Sequence, residues 1–96
     1  MSAYTASKGA VASLTYTWAM EFAGTGVRIN AVAPSLAMHA FLSKVTTDEL
    51  LDELTTREAF GRAAEPWEVA NVIVFLASDY STYMTGEVVS VSSQHP

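Results

Sequence analysis

Cysteine is absent from the chain, which excludes a disulfide framework and any thiolate-ligated metal site. Basic residues are scarce: five Lys and Arg stand against ten Asp and Glu, for a formal net charge of −5. They form no cluster, so nucleic acid is not an expected partner. Long apolar runs are also missing. The longest, Val72 to Ala77, falls far short of the roughly 20 residues that a membrane-spanning helix requires, so no membrane partner is expected. The opening residues, Met1-Ser2-Ala3-Tyr4-Thr5, show no basic segment leading into an apolar stretch. No secretory leader is therefore expected, and the cytoplasm is the default compartment. No internal repeat, low-complexity tract or linker is present.

What the chain does have is apolar character. Half of its 96 residues are hydrophobic and only 16% are charged. A chain of this length allows one small domain, and it buries a smaller share of its surface than a mid-sized domain does. Such richness suits either a piece of a larger core or a subunit of an oligomer.

Tyr4 to about Ala23 reads as a helix without interior proline, with Ala6, Ala10, Leu14 and Trp18 at i, i+4 spacing and Gly24 and Gly26 past its end. Val27 to Ala33 then reads as a buried, β-branched strand closed by Pro34. Ser35 to Val45 has no clear period and reads as a loop. Thr46 and Glu49 have capping-box spacing ahead of a short helix that runs to about Glu58. Pro66 suits the first position of a further helix, reaching Ser78, whose apolar residues lie on nearly every side. A last strand covers Glu87 to Ser92. Strand, helix, strand implies a parallel pair with a right-handed crossover. The architecture is α/β, with two strands and three helices, and two strands are too few for a stable open sheet.

Tyr4 and Lys8 are four residues apart on the first helix and share a face. A tyrosine titrates near pH 10 by itself, and a nearby ammonium favours its phenolate. The pair therefore reads as a general acid/base unit, or equally as two surface residues at an ordinary spacing. The acidic run Asp48, Glu49, Asp52, Glu53 reads as a solvated helix face, and no metal site is expected there. Leu36, Phe41, Leu42 and Leu50 read either as the lining of a substrate pocket or as lid-to-body packing.

The run Tyr4-Thr5-Ala6-Ser7-Lys8-Gly9-Ala10-Val11 closely resembles the active-site helix of the short-chain dehydrogenase/reductase family. Val27-Arg28-Ile29-Asn30-Ala31-Val32-Ala33-Pro34 is similar to that family's strand leading to the nicotinamide. Gly61 to Ala70, with Phe75 to Asp79, resembles its late helix, and Tyr83 to Val88 the entry to its last strand. The resemblance covers nearly the whole chain, most of all the 3-oxoacyl thioester reductases. It implies that residues 1–96 are the carboxy-terminal portion of a doubly wound, Rossmann-type parallel-sheet domain without its amino-terminal cofactor-binding half.

By the same resemblance, Tyr4 matches the residue that exchanges a proton with the carbonyl or alcohol oxygen. Lys8 matches the one that holds the nicotinamide ribose and assists the tyrosine. Pro34, Ser35 and Ala37 match the stretch lining the nicotinamide. The implied reaction is hydride transfer between NAD or NADP and a small carbonyl or alcohol substrate, in a homo-oligomer. Ser35 stands where glycine is common, His39 where threonine is common, and Ser92-Ser93 replaces a common Gly-Gly. The glycine-rich phosphate loop, the Asn-Ala-Gly segment and the catalytic serine of the family have no counterpart in these 96 residues. The chain alone is therefore expected to be inactive. A rival expectation is a truncated, non-catalytic remnant that associates through oligomer interfaces.

Overall fold

The structure, a computed structural model, describes residues 2–34 and 48–93. Helix α1 spans Ser2–Glu21, strand β1 Ala31–Pro34, helix α2 Asp48–Arg57, helix α3 Pro66–Ala77 and strand β2 Val88–Val91. Short 3₁₀ turns lie at Ala23–Thr25 and Asp79–Ser81. This is the order that the sequence predicts, an α/β arrangement forming part of a Rossmann-type fold. The loop read over Ser35 to Val45 and the cap residue Thr46 lie outside the described residues.

β1 and β2 form a two-stranded sheet. At its entry, the carbonyl of Ile29 accepts from the Gly86 N–H (2.7 Å) and the Ala31 N–H donates to the Glu87 carbonyl (2.9 Å). The partners advance in the same chain direction on both strands, from 29 to 31 and from 86 to 87, as in a parallel pair. β1 is shorter than the strand read over Val27 to Ala33, because side chains replace the ladder before it. The Ile29 N–H donates to Thr85 Oγ1 (3.1 Å), Asn30 Nδ2 donates to the Met84 carbonyl (3.0 Å), and the Glu87 N–H donates to Asn30 Oδ1 (3.1 Å). Pro34 is the last residue of β1 rather than its stop, which is compatible with proline at a strand end.

The chain divides into two compact units, Met1–Val32 with Phe75–Val89, and Ala33–Val74 with Ser90–Pro96. In the first unit the buried residues are small: Ala19 and Thr15 on α1, and Ser81 in the second 3₁₀ turn. Gly86, at φ 76°, lets the chain turn into β2, and a Cβ there would stand 3.4 Å from Ala19 Cβ. The same unit holds the guanidinium of Arg28. Its Nη1 donates to the Ser81 carbonyl (2.8 Å), Ser81 Oγ (3.1 Å) and the Met84 carbonyl (3.2 Å). Its Nη2 donates to the carbonyls of Leu76 (3.1 Å) and Ser78 (3.2 Å). The Leu76 carbonyl belongs to the last turn of α3 and the others to the turns that follow it, close to the helix end where the dipole favours a cation.

In the second unit Ala63 and Glu58 are buried. An exposed Glu53–Arg57 ion pair (2.8 Å) closes α2, worth a few tenths of a kcal/mol at that spacing. α3 was expected to be covered on both faces, yet within this chain Ile73 and Val74 are exposed, as are Leu14, Trp18 and Phe22 on α1. No large side chain among the described residues is fully buried. So short a chain has too little of itself with which to cover these faces.

Candidate functional site

Successive residues of an α-helix are rotated by about 100°, so positions 4, 8, 15 and 19 of α1 fall within an arc of roughly 60°. Tyr4 and Lys8 therefore occupy the amino-terminal part of the stripe that is buried further along at Thr15 and Ala19. Thr15 Oγ1 donates to the Val11 carbonyl (2.7 Å), which removes its hydroxyl from the packing contact. Gly86 lies beside Ala19, which seats that part of α1 within this unit. Lys8 is exposed.

Pro34 is exposed at the end of β1, in the second unit. Ser35, Ala37 and His39 lie outside the described residues. The structure therefore brings Tyr4 and Lys8 onto one stripe and places Pro34 at a strand end. Sequence reading missed the two residues that fix the segment before β1, Arg28 and Asn30. The available signal was a cation and an amide inside an otherwise apolar, β-branched run, where a half-buried polar group must find partners.

The second unit carries a separate cleft of about 150 Å³, lined by Glu58, Phe60, Arg62, Glu68 and Ser93 among others. Arg62 grips Glu68 with two parallel bonds (2.7 and 3.0 Å), and the Glu65 N–H donates to the same carboxylate (2.9 Å). Glu68 thus supplies the reciprocal half of a capping box at the start of α3. The Arg62 bonds, followed by the Glu65 N–H, hold the Glu68 carboxyl at about 2. A lowered carboxyl favours the folded state above the ordinary glutamate range, and that contribution is lost as the pH falls through about 2. Accordingly, amide protection at the first turn of α3, taken relative to the intrinsic exchange rate at each pH, should fall between about pH 4.5 and 2, the interval between the ordinary and lowered values. The Glu68→Gln variant should lose that dependence, and a variant that keeps it would place the titration elsewhere.

Comparison with known proteins places the chain in a family. The sequence profile of a family described as enoyl-(acyl carrier protein) reductase matches residues 1–93. The chain belongs to the short-chain dehydrogenase/reductase family. It is 64% identical over 95 residues to (5R,7aS)-5-hydroxy-7a-methyl-1-oxo-2,3,5,6,7,7a-hexahydro-1H-indene-carboxyl-CoA reductase of Mycobacterium tuberculosis, covering 99% of this chain and 36% of that protein. It is 43% identical over 88 residues to the 3-oxoacyl-(acyl-carrier-protein) reductase FabG of Thermotoga maritima, covering 92% of the chain and 35% of the relative. To meso-2,3-butanediol dehydrogenase of Serratia marcescens it is 46% identical over 88 residues, with 92% and 35% covered. The chain thus spans about a third of the length of these short-chain dehydrogenases and reductases.

Lys8 is exposed, and its ammonium is a compact hydrogen-bond donor suited to sugar hydroxyls. For the pyrophosphate the fit is poor. The glycines stand at positions 9, 24, 26, 61 and 86, with no Gly-x-x-x-Gly-x-Gly spacing to form a phosphate cradle at a helix start. Among the described residues no helix is long and apolar enough to cross a membrane.

Proposed function

We propose that this chain is the carboxy-terminal portion of an NAD- or NADP-dependent oxidoreductase, in which Tyr4 and Lys8 form the acid/base unit. The observation that carries the reading is the placement of Tyr4 and Lys8 on successive turns of α1, in a chain matching the family over residues 1–93. In the proposed reaction Tyr4 donates its phenolic proton to the substrate carbonyl oxygen during reduction and takes one from the alcohol in the reverse direction. Lys8 favours the phenolate and holds the nicotinamide ribose. Pro34, Ser35 and Ala37 line the nicotinamide. The cofactor, when bound, supplies the hydride.

The substrate is a small carbonyl or alcohol compound. The 64% identity to a reductase of an indene-carboxyl-CoA favours a ring-bearing ketone or alcohol attached to a CoA thioester. Specificity is assigned to the stretch from Ser35 to Phe60. Cytoplasmic residence and a homo-oligomeric whole protein belong to the same reading.

Lys8→Met tests the pairing in the whole protein that carries this sequence. The variant is expected to raise KM for the cofactor and to move the alkaline limb of the pH–rate profile upward, because the phenolate has lost its neighbouring cation. Lys8→Arg should restore part of the charge effect. Unchanged cofactor KM and pH profile in Lys8→Met would remove lysine from the site.

A non-catalytic remnant that associates through its apolar faces is favoured by the exposure of Leu14, Trp18, Phe22, Ile73 and Val74. For the 96-residue chain alone, fluorescence titration is expected to detect no saturable NADH or NADPH binding, and sedimentation is expected to find association. A tight, saturable nicotinamide signal would overturn that expectation.

A further inference from the structure

Glu58 is the one charged side chain among the described residues that is buried, at 4% exposure. It follows α2 directly. Its N–H donates to the Thr55 carbonyl (3.2 Å), and its own carbonyl accepts from the Gly61 N–H (2.9 Å), where Gly61 adopts φ 68°. Ser93, just beyond β2, reaches this turn with both functions of its hydroxyl. Ser93 Oγ donates to Glu58 Oε2 (3.2 Å) and accepts from the Phe60 N–H (3.4 Å). The other carboxylate oxygen, Oε1, is buried and has no partner.

A buried carboxylate with one oxygen unsatisfied is a poor stabiliser, and an apolar side chain of similar volume would serve a packed turn better. What Glu58 does provide is register: its bonded oxygen is satisfied only when a hydroxyl arrives from the exit of β2. We propose that Glu58 and Ser93 are positioning residues, a latch that ties the carboxy-terminal end of α2 to the exit of β2. Through this latch they hold α2, the helix assigned to substrate specificity, in place. The second half of that statement rests on the proposed function; the latch itself does not.

Hydrogen exchange followed by mass spectrometry on the whole protein tests it. In Ser93→Ala, peptides covering residues 55–61 should exchange about tenfold faster, the effect of one lost hydrogen bond with its acceptor left buried, while α1 stays unchanged. Ser93→Thr keeps the hydroxyl and Glu58→Gln keeps an acceptor oxygen, and both should retain near-normal protection. Equal exchange in Ser93→Ala and the parent protein would overturn the latch, as would uniform acceleration across the protein. If Ser93→Ala does not fold, Ser93→Thr and Glu58→Gln decide: loss of protection at residues 55–61 in either one would overturn it.

In the same variants the carbonyl substrate should show a severalfold higher KM in Ser93→Ala, with kcat nearly constant and recovery in Ser93→Thr. A parent protein without oxidoreductase activity would refute the proposed function while exchange still reports on the latch. Accelerated exchange without a KM change would separate the latch from substrate positioning and overturn that half of the proposal.

Discussion

Replacing Tyr4 by phenylalanine in the protein that carries this chain is expected to lower kcat/KM for carbonyl reduction by about 10²- to 10⁴-fold, the range typical of losing a positioned general acid. The change removes one oxygen atom and keeps the ring. α1 runs unbroken from Ser2 to Glu21 and is seated by Thr15 and Ala19, well along the helix from Tyr4. The circular dichroism spectrum and the cofactor KM should therefore stay close to those of the parent protein. A residue acting only in proton transfer lowers kcat and kcat/KM together, whereas a substrate-binding residue raises KM with kcat preserved. A loss of less than about threefold in a folded Tyr4→Phe variant would take the proton chemistry away from this position.

Arg28→Ala is expected to destabilise the protein by about 1.5–3 kcal/mol, the range for losing hydrogen bonds to a charged group. One guanidinium satisfies the carbonyls of Leu76, Ser78, Ser81 and Met84 together with the Ser81 hydroxyl. Removing it takes the charged donor from these carbonyls, leaving each only a neutral one (Ser81 Oγ for Leu76 and Ser78, the Met84 N–H for Ser81, Asn30 Nδ2 for Met84), and leaves the helix dipole without its cation. Arg28→Lys should recover roughly half of the loss, since an ammonium keeps the charge but cannot span the sites of a planar fork. Urea unfolding, with the slope compared between variants, measures both effects. A change below about 1 kcal/mol for Arg28→Ala would show that the end of α3 is held by other means.

Local signals in the sequence were sufficient where local physics decides the structure. Pro66 does open α3. Gly26, read just past the first helix, does take a left-handed backbone conformation. The first helix was read from Tyr4 to about Ala23 and runs from Ser2 to Glu21, an end shift that is ordinary for helix boundaries.

Long-range pairing was not legible in the same way. Periodicity assigns Val27 to Ala33 to a single strand, and nothing nearby reveals that Thr85 and Asn30 side chains take over the ladder bonds before Ala31. The Glu58–Ser93 contact joins residues 35 positions apart through a hydroxyl that has no local pattern. Tyr4 and Lys8 were legible as a shared face because helical geometry alone sets it. The chemical role proposed for them came from the resemblance of the flanking motifs, not from the spacing.

The central claim is that the chain serves nicotinamide-dependent hydride transfer through the Tyr4/Lys8 stripe of α1. Its most direct test is carbonyl-dependent oxidation of NADH and NADPH by the whole protein bearing this sequence, assayed with ring ketones presented as CoA thioesters and with simple ketones. The account predicts substrate-dependent cofactor oxidation that is reversed with the matching alcohol and largely abolished in Tyr4→Phe. A folded protein that oxidises neither cofactor with any of these carbonyls, or that turns over equally well without the Tyr4 hydroxyl, would contradict it.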